Sequence, residues 1–293
     1  MIWAEAARDI SHVLCDAFPP QQSLFTAWRI LADMSGEPLE SILPWKSNTE
    51  MPECHTQTFK RIVSRLRNQE PIEYIFGKAS FCSLELTINT TALIPRPETE
   101  ILVESVVNWH KLHQRIPETI IDLGTGSGCI ALALAHAFPD VHITTVDRSL
   151  GAINLTKKNV SIYNMSHRFS FVVSDWWSSL ERGHTWDVVI SNPPYIKHSD
   201  LAFLPPSVRE FEPSSALDGG EDGLSGFRAV ITGAIHGLRP TGILALECGW
   251  NQAGEVLTII ENSDAFNSCT VEKDLNGVPR IIIALRKENL HAS

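Results

Sequence analysis

The chain has 293 residues, of which 43% are apolar and 20% are charged, and its formal net charge is -10. This composition is ordinary for a folded protein and excludes a disordered or fibrous chain, while the length favours one large and one smaller domain. The acidic charge disfavours a protein that tracks nucleic acid through phosphate contacts, so we expect no direct nucleic-acid substrate.

The first 78 residues show a helical pattern. Apolar residues recur at helical spacing in three stretches, which are Trp3, Ala6, Ile10, Leu14 and Ala17, then Leu24, Trp28 and Leu31, then Phe59, Ile62, Val63 and Leu66. Helix-breaking residues separate these stretches at Pro19-Pro20, Gly36-Glu37-Pro38, Pro44 and Pro52. We therefore predict a small helical domain over residues 1–78.

A hairpin linker is predicted over residues 79–96. The stretch from Asn89 to Thr91 can turn the chain, and apolar residues precede it in near alternation at Phe81, Leu84, Leu86 and Ile88. Behind the linker, Pro97 and the nearby Glu98 and Glu100 favour the start of a helix, because proline suits the first helical position and acidic residues suit the positive helix end. The predicted buried residues of this helix are Leu102, Val103, Val106 and Trp109.

Residues 97–293 alternate strand-like and helix-like runs. The seven strand candidates are, in chain order, TIIDLG, HITTVD, FSFVVSD, WDVVISN, GILALECG, SCTVEKD and RIIIALR. The central ones are nearly all apolar, as expected for strands that are covered on both faces. Helical runs between them supply the crossovers. The predicted fold class is therefore α/β, with a doubly wound, mostly parallel, seven-stranded Rossmann-like sheet and a small N-terminal helical domain.

A glycine-rich turn follows the first strand candidate in IIDLGTGSGCIALALA. Gly124, Gly126 and Gly128 have no Cβ, so the backbone can approach a nucleotide-like ligand closely. Gly126 and Gly128 with Ala131 also satisfy the GxGxxA pattern of dinucleotide-binding proteins, so a nicotinamide oxidoreductase is an alternative. Asp122 lies two residues before the first glycine, and a carboxylate there favours a positively charged ligand such as S-adenosylmethionine over a pyrophosphate.

The next two strand candidates also end in ligand-type residues. Asp147 ends the second one, where its carboxylate can accept hydrogen bonds from both ribose hydroxyls of either cofactor. Asp175 and Trp176 end the third, where the acid can accept the adenine amino group and the indole can pack on the adenine face. Because ligands bind outside the carboxyl ends of parallel strands, we expect these three residues beside Gly124.

The fourth strand candidate ends in SNPPY, residues 191–195. Prolines donate no backbone hydrogen bond and stiffen the residue before them, so the turn is rigid and its carbonyls are free to accept. A planar amide or aromatic amine offers two N–H donors, which the side-chain oxygen of Asn192 and the carbonyl of Pro193 can accept while Tyr195 stacks on its face. Such a site would catalyse methyl transfer mainly by orientation.

The motifs DLGTGSG, VD, SDW and NPPY, in this order, resemble the class I S-adenosylmethionine-dependent methyltransferases. NPPY resembles in particular those that methylate adenine N6 in DNA or glutamine side chains in proteins. The stretches PIEYIFGKASF, LIPRPETEILVE, EPSSALDGGEDGL, ALECGWNQAGEV and DLNGVPR resemble the peptide chain release factor glutamine N5-methyltransferases, from about Pro71 to Arg280. Cys248 and Trp177 depart from that family's usual residues.

The resemblance implies transfer of a methyl group from S-adenosylmethionine to the GGQ glutamine of release factors, which would be the protein partners. The helical domain would recognise them. The residues expected to bind the cofactor, from the motif and from the resemblance, are Asp122, Gly124, Thr125, Gly126, Ser127, Gly128, Asp147, Asp175, Trp176 and Asn192. The residues expected to hold the glutamine are Asn192, Pro193, Pro194 and Tyr195, with Asn192, Pro193 and Tyr195 as the catalytic ones.

Several classes of function remain as rivals. DNA adenine methylation would use the same NPPY motif to hold a flipped base, but it predicts a basic cleft and a target-recognition insertion. The hypothesis of an RNA-binding or adaptor protein is supported only by a basic stripe of Lys60, Arg61, Arg65 and Arg67. A solvent-exposed helix face explains this stripe better. His110 and His113 lack a third ligand, so no metal site is predicted.

The remaining sequence features concern location. Six cysteines occur without a CxxC pair, which favours reduced thiols over a disulfide framework or a zinc site. No apolar run reaches the roughly 18 residues of a membrane-spanning helix, and the first residues lack the pattern of a secretory leader. We therefore expect a cytoplasmic protein without a membrane partner.

Overall fold

The computed structural model describes residues 1–15, 19–42, 47–181 and 183–288. The chain divides into two compact units, Met1–Gly77 and Lys78–Ser293. Ala17 and Pro44, which the sequence pattern placed at a helix face and at a helix break, lie outside the described residues. Within the described ranges no helix has the length and apolar character that crossing a membrane requires.

The first unit is helical. Its helices are α1 (Trp3–Leu14), α2 (Pro20–Ser35), α3 (Leu39–Ile42), α4 (Glu53–Arg67) and α5 (Ile72–Phe76). Prolines precede α2, α4 and α5 directly, because proline has no N–H to leave unpaired at a helix start, and α2 ends at Gly36 with φ 70°. The core of this unit is formed by one apolar face from each of the longer helices, including Trp3, Ile10, Leu31 and Phe59.

The prediction that Leu24 faces this core is wrong, because its side chain is 41% exposed. The buried line along α2 starts one residue earlier, at Ser23, and continues through Ala27 and Leu31. Ser23 Oγ lies 3.0 Å from Ser11 Oγ of α1 and donates to the Pro20 carbonyl. A hydroxyl pair between the two helices therefore takes the place that the apolar pattern assigned to a leucine.

One member of the basic stripe has a structural role. Arg65 pairs through Nε with Glu70 Oε2 at 2.7 Å, and its Nη groups donate to the carbonyls of Ile75 and Tyr74. These bonds connect the end of α4 to α5. Arg65 is therefore not a free cation for nucleic acid.

The second unit begins with a two-stranded hairpin of β1 (Lys78–Phe81) and β2 (Leu84–Thr87). Its turn is formed by Cys82 and Ser83, whose φ angles are 46° and 64°. The predicted turn at Asn89 to Thr91 exists, with Thr91 N donating to Asn89 Oδ1, but it follows the hairpin instead of closing it. Two-residue hairpin loops usually carry glycine or asparagine at such angles, so the true turn gave no sequence signal.

The central sheet contains all seven predicted strands, which confirms the predicted fold class. They are β3 (Thr119–Leu123), β4 (His142–Asp147), β5 (Phe169–Val173), β6 (Trp186–Ser191), β7 (Leu238–Glu247), β8 (Phe266–Lys273) and β9 (Pro279–Arg286). The spatial order is β5-β4-β3-β6-β7-β9-β8. The pairs from β5 to β7 are parallel, and β9 is antiparallel to both of its neighbours.

Helices cover both faces of this sheet. They are α6 (Pro97–Leu112), α7 (Cys129–Ala137), α8 (Leu150–Ile162), α10 (Ser225–Gly237) and α11 (Ala253–Asn262). The short α9 (Pro206–Arg209) lies between β6 and α10 in the chain and has no buried residue. One core holds the apolar residues of α6, α7 and α8, and a second core holds those of α10 and α11. Leu102, Val103 and Val106 of α6 are buried as predicted, while Trp109 is only partly buried.

The direction in which successive strands are added reverses between β3 and β6. Strand β4 lies on one side of β3, and β6 lies on the other side, with Asp122 of β3 opposite Ile190 of β6. At such a switch point the loops after the two strands leave a crevice at the carboxyl edge of the sheet. The glycine turn follows β3 and the NPPY turn follows β6, so the fold brings these two motifs together.

Candidate active site

A pocket opens at this switch point, with an empty volume of about 910 Å³ that includes its open mouth. Its wall includes residues 91–93, Pro95, Arg96, Thr99, the glycine turn from Gly124 to Ser127, and the ends of β4 and β5. The start of α7, Asn192, Pro194, Pro213, Ser215 and Ala216 also contribute. The lining combines apolar side chains with a few polar groups, as is typical of a small-molecule site.

The glycine turn adopts backbone angles that favour glycine. Gly124, Gly126 and Gly128 have φ angles of 77°, 56° and 80°. Both Gly124 N and the following N–H donate to the Val146 carbonyl of β4. A Cβ on Gly128 would lie 2.7 Å from Thr156 Cγ2 on α8, so this glycine is also required for close packing.

Asp147 fixes the same turn from the end of β4. Its Oδ2 accepts from Gly126 N at 3.0 Å, and its Oδ1 accepts from Ser149 N at 2.8 Å. Burial raises the pKa of this carboxyl, and the hydrogen bonds from Ser149 and Gly126 oppose that effect. Each oxygen keeps acceptor capacity for a ligand hydroxyl on the pocket side.

Asp122 lies beneath the glycine turn and does not line the pocket. Its Oδ2 accepts from Thr125 Oγ1 at 2.7 Å, whereas its Oδ1 is buried without a hydrogen-bond partner. Burial raises the pKa of Asp122 to about 7. Asp122 therefore supports the glycine turn through its bond to Thr125.

The wall after β5 is formed by Asp175 and Trp176. Asp175 is exposed, and Trp176 has a φ of 50°, which is uncommon for a bulky residue. This backbone turns the indole toward the glycine turn, where Trp176 Cζ3 would lie 3.9 Å from a Cβ on Gly124. The neighbouring Trp177 points away from the pocket into a groove on α10, because Cβ atoms on Gly233 and Gly237 would lie 2.1 and 2.5 Å from its ring.

In the NPPY turn the two ends of the Asn192 amide are distinguished by a hydrogen bond. Asn192 Nδ2 donates to Thr99 Oγ1 of α6 at 3.1 Å, which leaves Oδ1 as an acceptor. Among the described residues no hydrogen bond is made to the Pro193 carbonyl. Tyr195 packs against the second core, and its burial raises the pKa of its hydroxyl to about 12, so it remains neutral.

The turn is held from behind by an amide side chain that the sequence reasoning missed. Gln252 is 4% exposed, and its Nε2 donates to the carbonyls of Tyr195 at 2.9 Å and Gly223 at 3.2 Å. Its Oε1 accepts from Gly249 N at 3.0 Å. Gln252 thus connects the NPPY turn to the loops before α10 and after β7.

Glycines permit this close approach of loops. A Cβ on Gly223 would lie 2.6 Å from the Tyr195 carbonyl oxygen. A Cβ on Gly226, at the start of α10, would lie 3.0 Å from Pro193 Cβ and 3.4 Å from Trp176 Cζ2. The start of α10 therefore contacts both the NPPY turn and the aromatic wall of the pocket.

An ion pair between a partly exposed arginine and a buried glutamate connects two segments of the pocket wall. Arg96 Nη2 donates to Glu212 Oε1 at 2.5 Å, and Ile94 N donates to Glu212 Oε2 at 3.3 Å. The Glu212 side chain is only 1% exposed. The pair fixes residues 94–96 relative to the segment that supplies Pro213 and Ala216.

The structure gathers most of the residues expected at the site, but not all of them. Those that line the pocket are Gly124, Thr125, Gly126, Ser127, Asp147, Asp175, Trp176, Asn192 and Pro194. Those that do not are Asp122, Gly128, Pro193 and Tyr195. Of these four, Asp122 and Gly128 support the glycine turn, while Pro193 and Tyr195 belong to the NPPY turn. No group of three His, Cys, Asp or Glu in the described ranges could hold a metal ion.

The profile of the methyltransferase small domain family matches residues 98–204, which contain the glycine turn and the NPPY turn. The release factor glutamine methyltransferase of Thermodesulfovibrio yellowstonii is 35% identical over 252 residues, covering 86% of this chain and 89% of that protein. The enzyme of the same name from Geobacter sulfurreducens is 37% identical and covers 75% of each chain.

The fold also matches a solved structure. The 16S rRNA N2 G1207 methyltransferase of T. thermophilus, solved in complex with AdoMet and guanosine, superposes with a TM-score of 0.52 at 17% identity. The match covers 72% of this chain and 50% of that one, and it supports the fold alone. The resemblance inferred from the sequence motifs is confirmed by the relatives. The chain belongs to the release factor glutamine methyltransferase family.

Proposed function

We propose that this protein transfers the methyl group of S-adenosylmethionine to the side-chain amide nitrogen of the GGQ glutamine in peptide chain release factors. The observation that carries the proposal is the Asn192 side chain at the wall of the pocket. Its nitrogen end is bonded to Thr99, so its oxygen end is available to a donor. A primary amide supplies such donors, and the family supplies the protein in which that amide occurs.

The residues of the pocket fit S-adenosylmethionine. The glycine turn offers backbone without Cβ atoms, Asp147 offers carboxylate oxygens to a ribose, and Trp176 offers an apolar ring to adenine. Asp175, exposed at the same wall, can accept the adenine amino group. When bound, S-adenosylmethionine supplies an electrophilic methyl group on a sulfonium. The carboxylate of Asp147 suits the nucleoside part of this donor.

The NPPY turn would orient the acceptor amide. Asn192 Oδ1 and the Pro193 carbonyl accept its two N–H groups, Pro194 lines the cavity beside them, and Tyr195 packs on the amide plane. Because both acceptors are fixed on a stiff turn, they hold the nitrogen in one position and make its lone pair more available. No strong base is needed before transfer, since the nitrogen can release its additional proton afterwards.

The helical unit Met1–Gly77 would recognise the release factor. Leu24 and Phe25 of α2 are 41% and 54% exposed, which is unusual for adjacent large apolar residues. Replacing both by serine should raise KM for an intact release factor and leave KM for a short GGQ peptide unchanged. Equal effects on both substrates would contradict this role.

We further propose that the protein works in the cytoplasm. The six cysteines are all free thiols, two of them buried, which suits a reducing compartment. With a net charge of -10, the chain lacks the basic character that a DNA-methylating enzyme needs, so no direct nucleic-acid substrate is proposed.

A labelling experiment tests the function. The purified protein is incubated with methyl-labelled S-adenosylmethionine and, in separate reactions, a release factor, the same factor with its GGQ glutamine replaced by alanine, or adenine-containing DNA. We expect label on the intact release factor alone. Label on DNA, or equal label on the glutamine variant, would overturn the proposal.

A further inference from the structure

A buried carboxyl group at the end of β7 lies behind the acceptor site without a cationic hydrogen-bond partner. Glu247 is 2% exposed, and its Oε2 has no hydrogen-bond partner among the described residues. Arg280, whose positive charge acts on Glu247, donates instead to Asp274 Oδ2 at 3.2 Å and to the Cys248 carbonyl at 3.4 Å. By contrast, the buried Glu212 is paired with an arginine. A buried carboxyl without an ionic partner is costly, so a function is expected for it.

The Glu247 carboxyl lies against two side chains of the acceptor site. Ser191 of β6 is paired with Leu246 of β7, so the next residues along the two parallel strands, Asn192 and Glu247, are neighbours. Thr99, itself only 3% exposed, and Asn192 both lower the pKa of Glu247 by side-chain hydrogen bonding. Asn192 Nδ2 also donates to Thr99 Oγ1 at 3.1 Å. The three side chains come from α6, the NPPY turn and β7, and they form one connected group.

The oxygen and nitrogen ends of an asparagine amide have nearly the same shape, so packing alone does not decide which end faces the substrate. Catalysis on a glutamine amide requires the oxygen of Asn192 there, because the substrate nitrogen carries donors. We propose that Glu247 is a positioning residue that fixes, together with Thr99, the orientation of the Asn192 amide. This inference rests on the proposed function.

The orientation follows from counting donors. An ionised Glu247 can only accept hydrogen bonds, so the single hydroxyl proton of Thr99 points to Glu247. Thr99 Oγ1 then presents a lone pair to Asn192. Both neighbours of the amide are acceptors in this state, so only its Nδ2 end can face them and Oδ1 must face the pocket.

A proton on Glu247 removes this constraint. The protonated carboxyl can donate to Thr99 Oγ1, which frees the hydroxyl proton of Thr99 to donate to Asn192 Oδ1. The amide can then turn and present Nδ2 to the substrate, where two donors would oppose each other. The ionised form of Glu247 is therefore the active one.

The surroundings of Glu247 place its ionisation in the neutral range. Burial raises its pKa to about 7, while Thr99, Arg280 and Asn192 act in the opposite direction and Glu98 of α6 adds to the rise. Tyr195, which faces it from the NPPY turn, stays neutral. Turnover should consequently increase as the pH rises through about 7.

The test compares variants on the intact enzyme, with a release factor as the substrate. Glu247→Gln removes the titrating group, so its kcat should no longer rise between about pH 6 and pH 8. Thr99→Val removes the hydroxyl and should lower kcat about tenfold or more at pH 8, whereas Thr99→Ser keeps the hydroxyl and should stay within about threefold. The dissociation constant for S-adenosylmethionine should remain within about twofold in all three, since the affected contacts are on the acceptor side.

The possible outcomes distinguish a failure of the inference about Glu247 from a failure of the proposed function. A rise of kcat with pH that persists in Glu247→Gln would assign the titration to another group, such as Asp122, and overturn the inference. Equal kcat for the Val and Ser variants would overturn it as well, even if Glu247→Gln fails to fold. A wild-type enzyme that labels no release factor would overturn the proposed function and this inference together.

Discussion

The amide of Gln252 offers a direct measure of how strongly the NPPY turn is held in place. The substitution Gln252→Glu keeps the size and shape of the side chain and replaces the nitrogen by oxygen. The carbonyls of Tyr195 and Gly223 then lose their donor, while the bond from Gly249 N can persist. A buried polar group without a partner costs about 1–3 kcal/mol, so two of them should lower the free energy of unfolding by roughly 2–6 kcal/mol.

Protonation of the new carboxyl restores one donor, which limits the loss to the lower half of this range at acidic pH. The loss should therefore be greater at pH 8 than at pH 5. With about 2–4 °C of melting temperature for each kcal/mol, Gln252→Glu should melt roughly 4–24 °C below the wild type at pH 8. Thermal unfolding followed by circular dichroism measures this.

A matched control exists on the exposed surface of α4. Gln57→Glu makes the same chemical change at an exposed position, and its melting temperature should stay within about 2 °C of the wild type. Equal melting temperatures for the two variants would refute the reasoning. They would mean that the two hydrogen bonds that Gln252 donates do not hold the turn.

Three further substitutions test other parts of the site. Asp147→Asn should raise the dissociation constant for S-adenosylmethionine about tenfold or more in calorimetric titration. The reason is that the new amide nitrogen would face a backbone N–H group that now donates a hydrogen bond to the carboxylate. An unchanged dissociation constant would contradict this. Gly233→Ala should lower the free energy of unfolding in urea by about 1–3 kcal/mol, because the new Cβ would lie 2.1 Å from the Trp177 ring. The control Gly254→Ala should not lower it, because a Cβ there has no other atom within 4 Å. Asp122 has a pKa of about 7 in the fold against 3.8 for the free group, so the folded state binds its proton more tightly and loses stability as the pH rises from about 4 to 7. Asp122→Asn lacks this loss, and its unfolding free energy relative to wild type should increase over that range by up to roughly 4 kcal/mol; a constant difference would argue against the buried charge.

The sheet could be predicted from sequence because parallel strands covered on both faces are nearly continuous apolar runs. The places of the two motifs followed from the same prediction, since loops after neighbouring parallel strands share one edge. This rule was sufficient to predict that Asp147 and Asn192 lie at that edge. The directions of their side chains could not be predicted from this rule.

The supporting contacts could not be predicted, because they join residues that are far apart in the chain. Thr99 and Asn192 are separated by 93 positions, and Gln252 and Tyr195 by 57. Such pairs depend on strand register and on rotamers, for which no local pattern exists. Asp122 was expected near the ligand from its place next to the glycines, and the structure places it buried beneath them, outside the lining of the pocket.

The first turn of α10 adds a mechanical constraint to the chemistry. At Gly226 this helix contacts the proline of the acceptor turn and, with the same atom position, the indole of the donor pocket. A side chain at position 226 would therefore press on the acceptor turn and on the aromatic wall at the same time. One glycine without a Cβ thus allows both walls of the site to pack against the same piece of helical backbone.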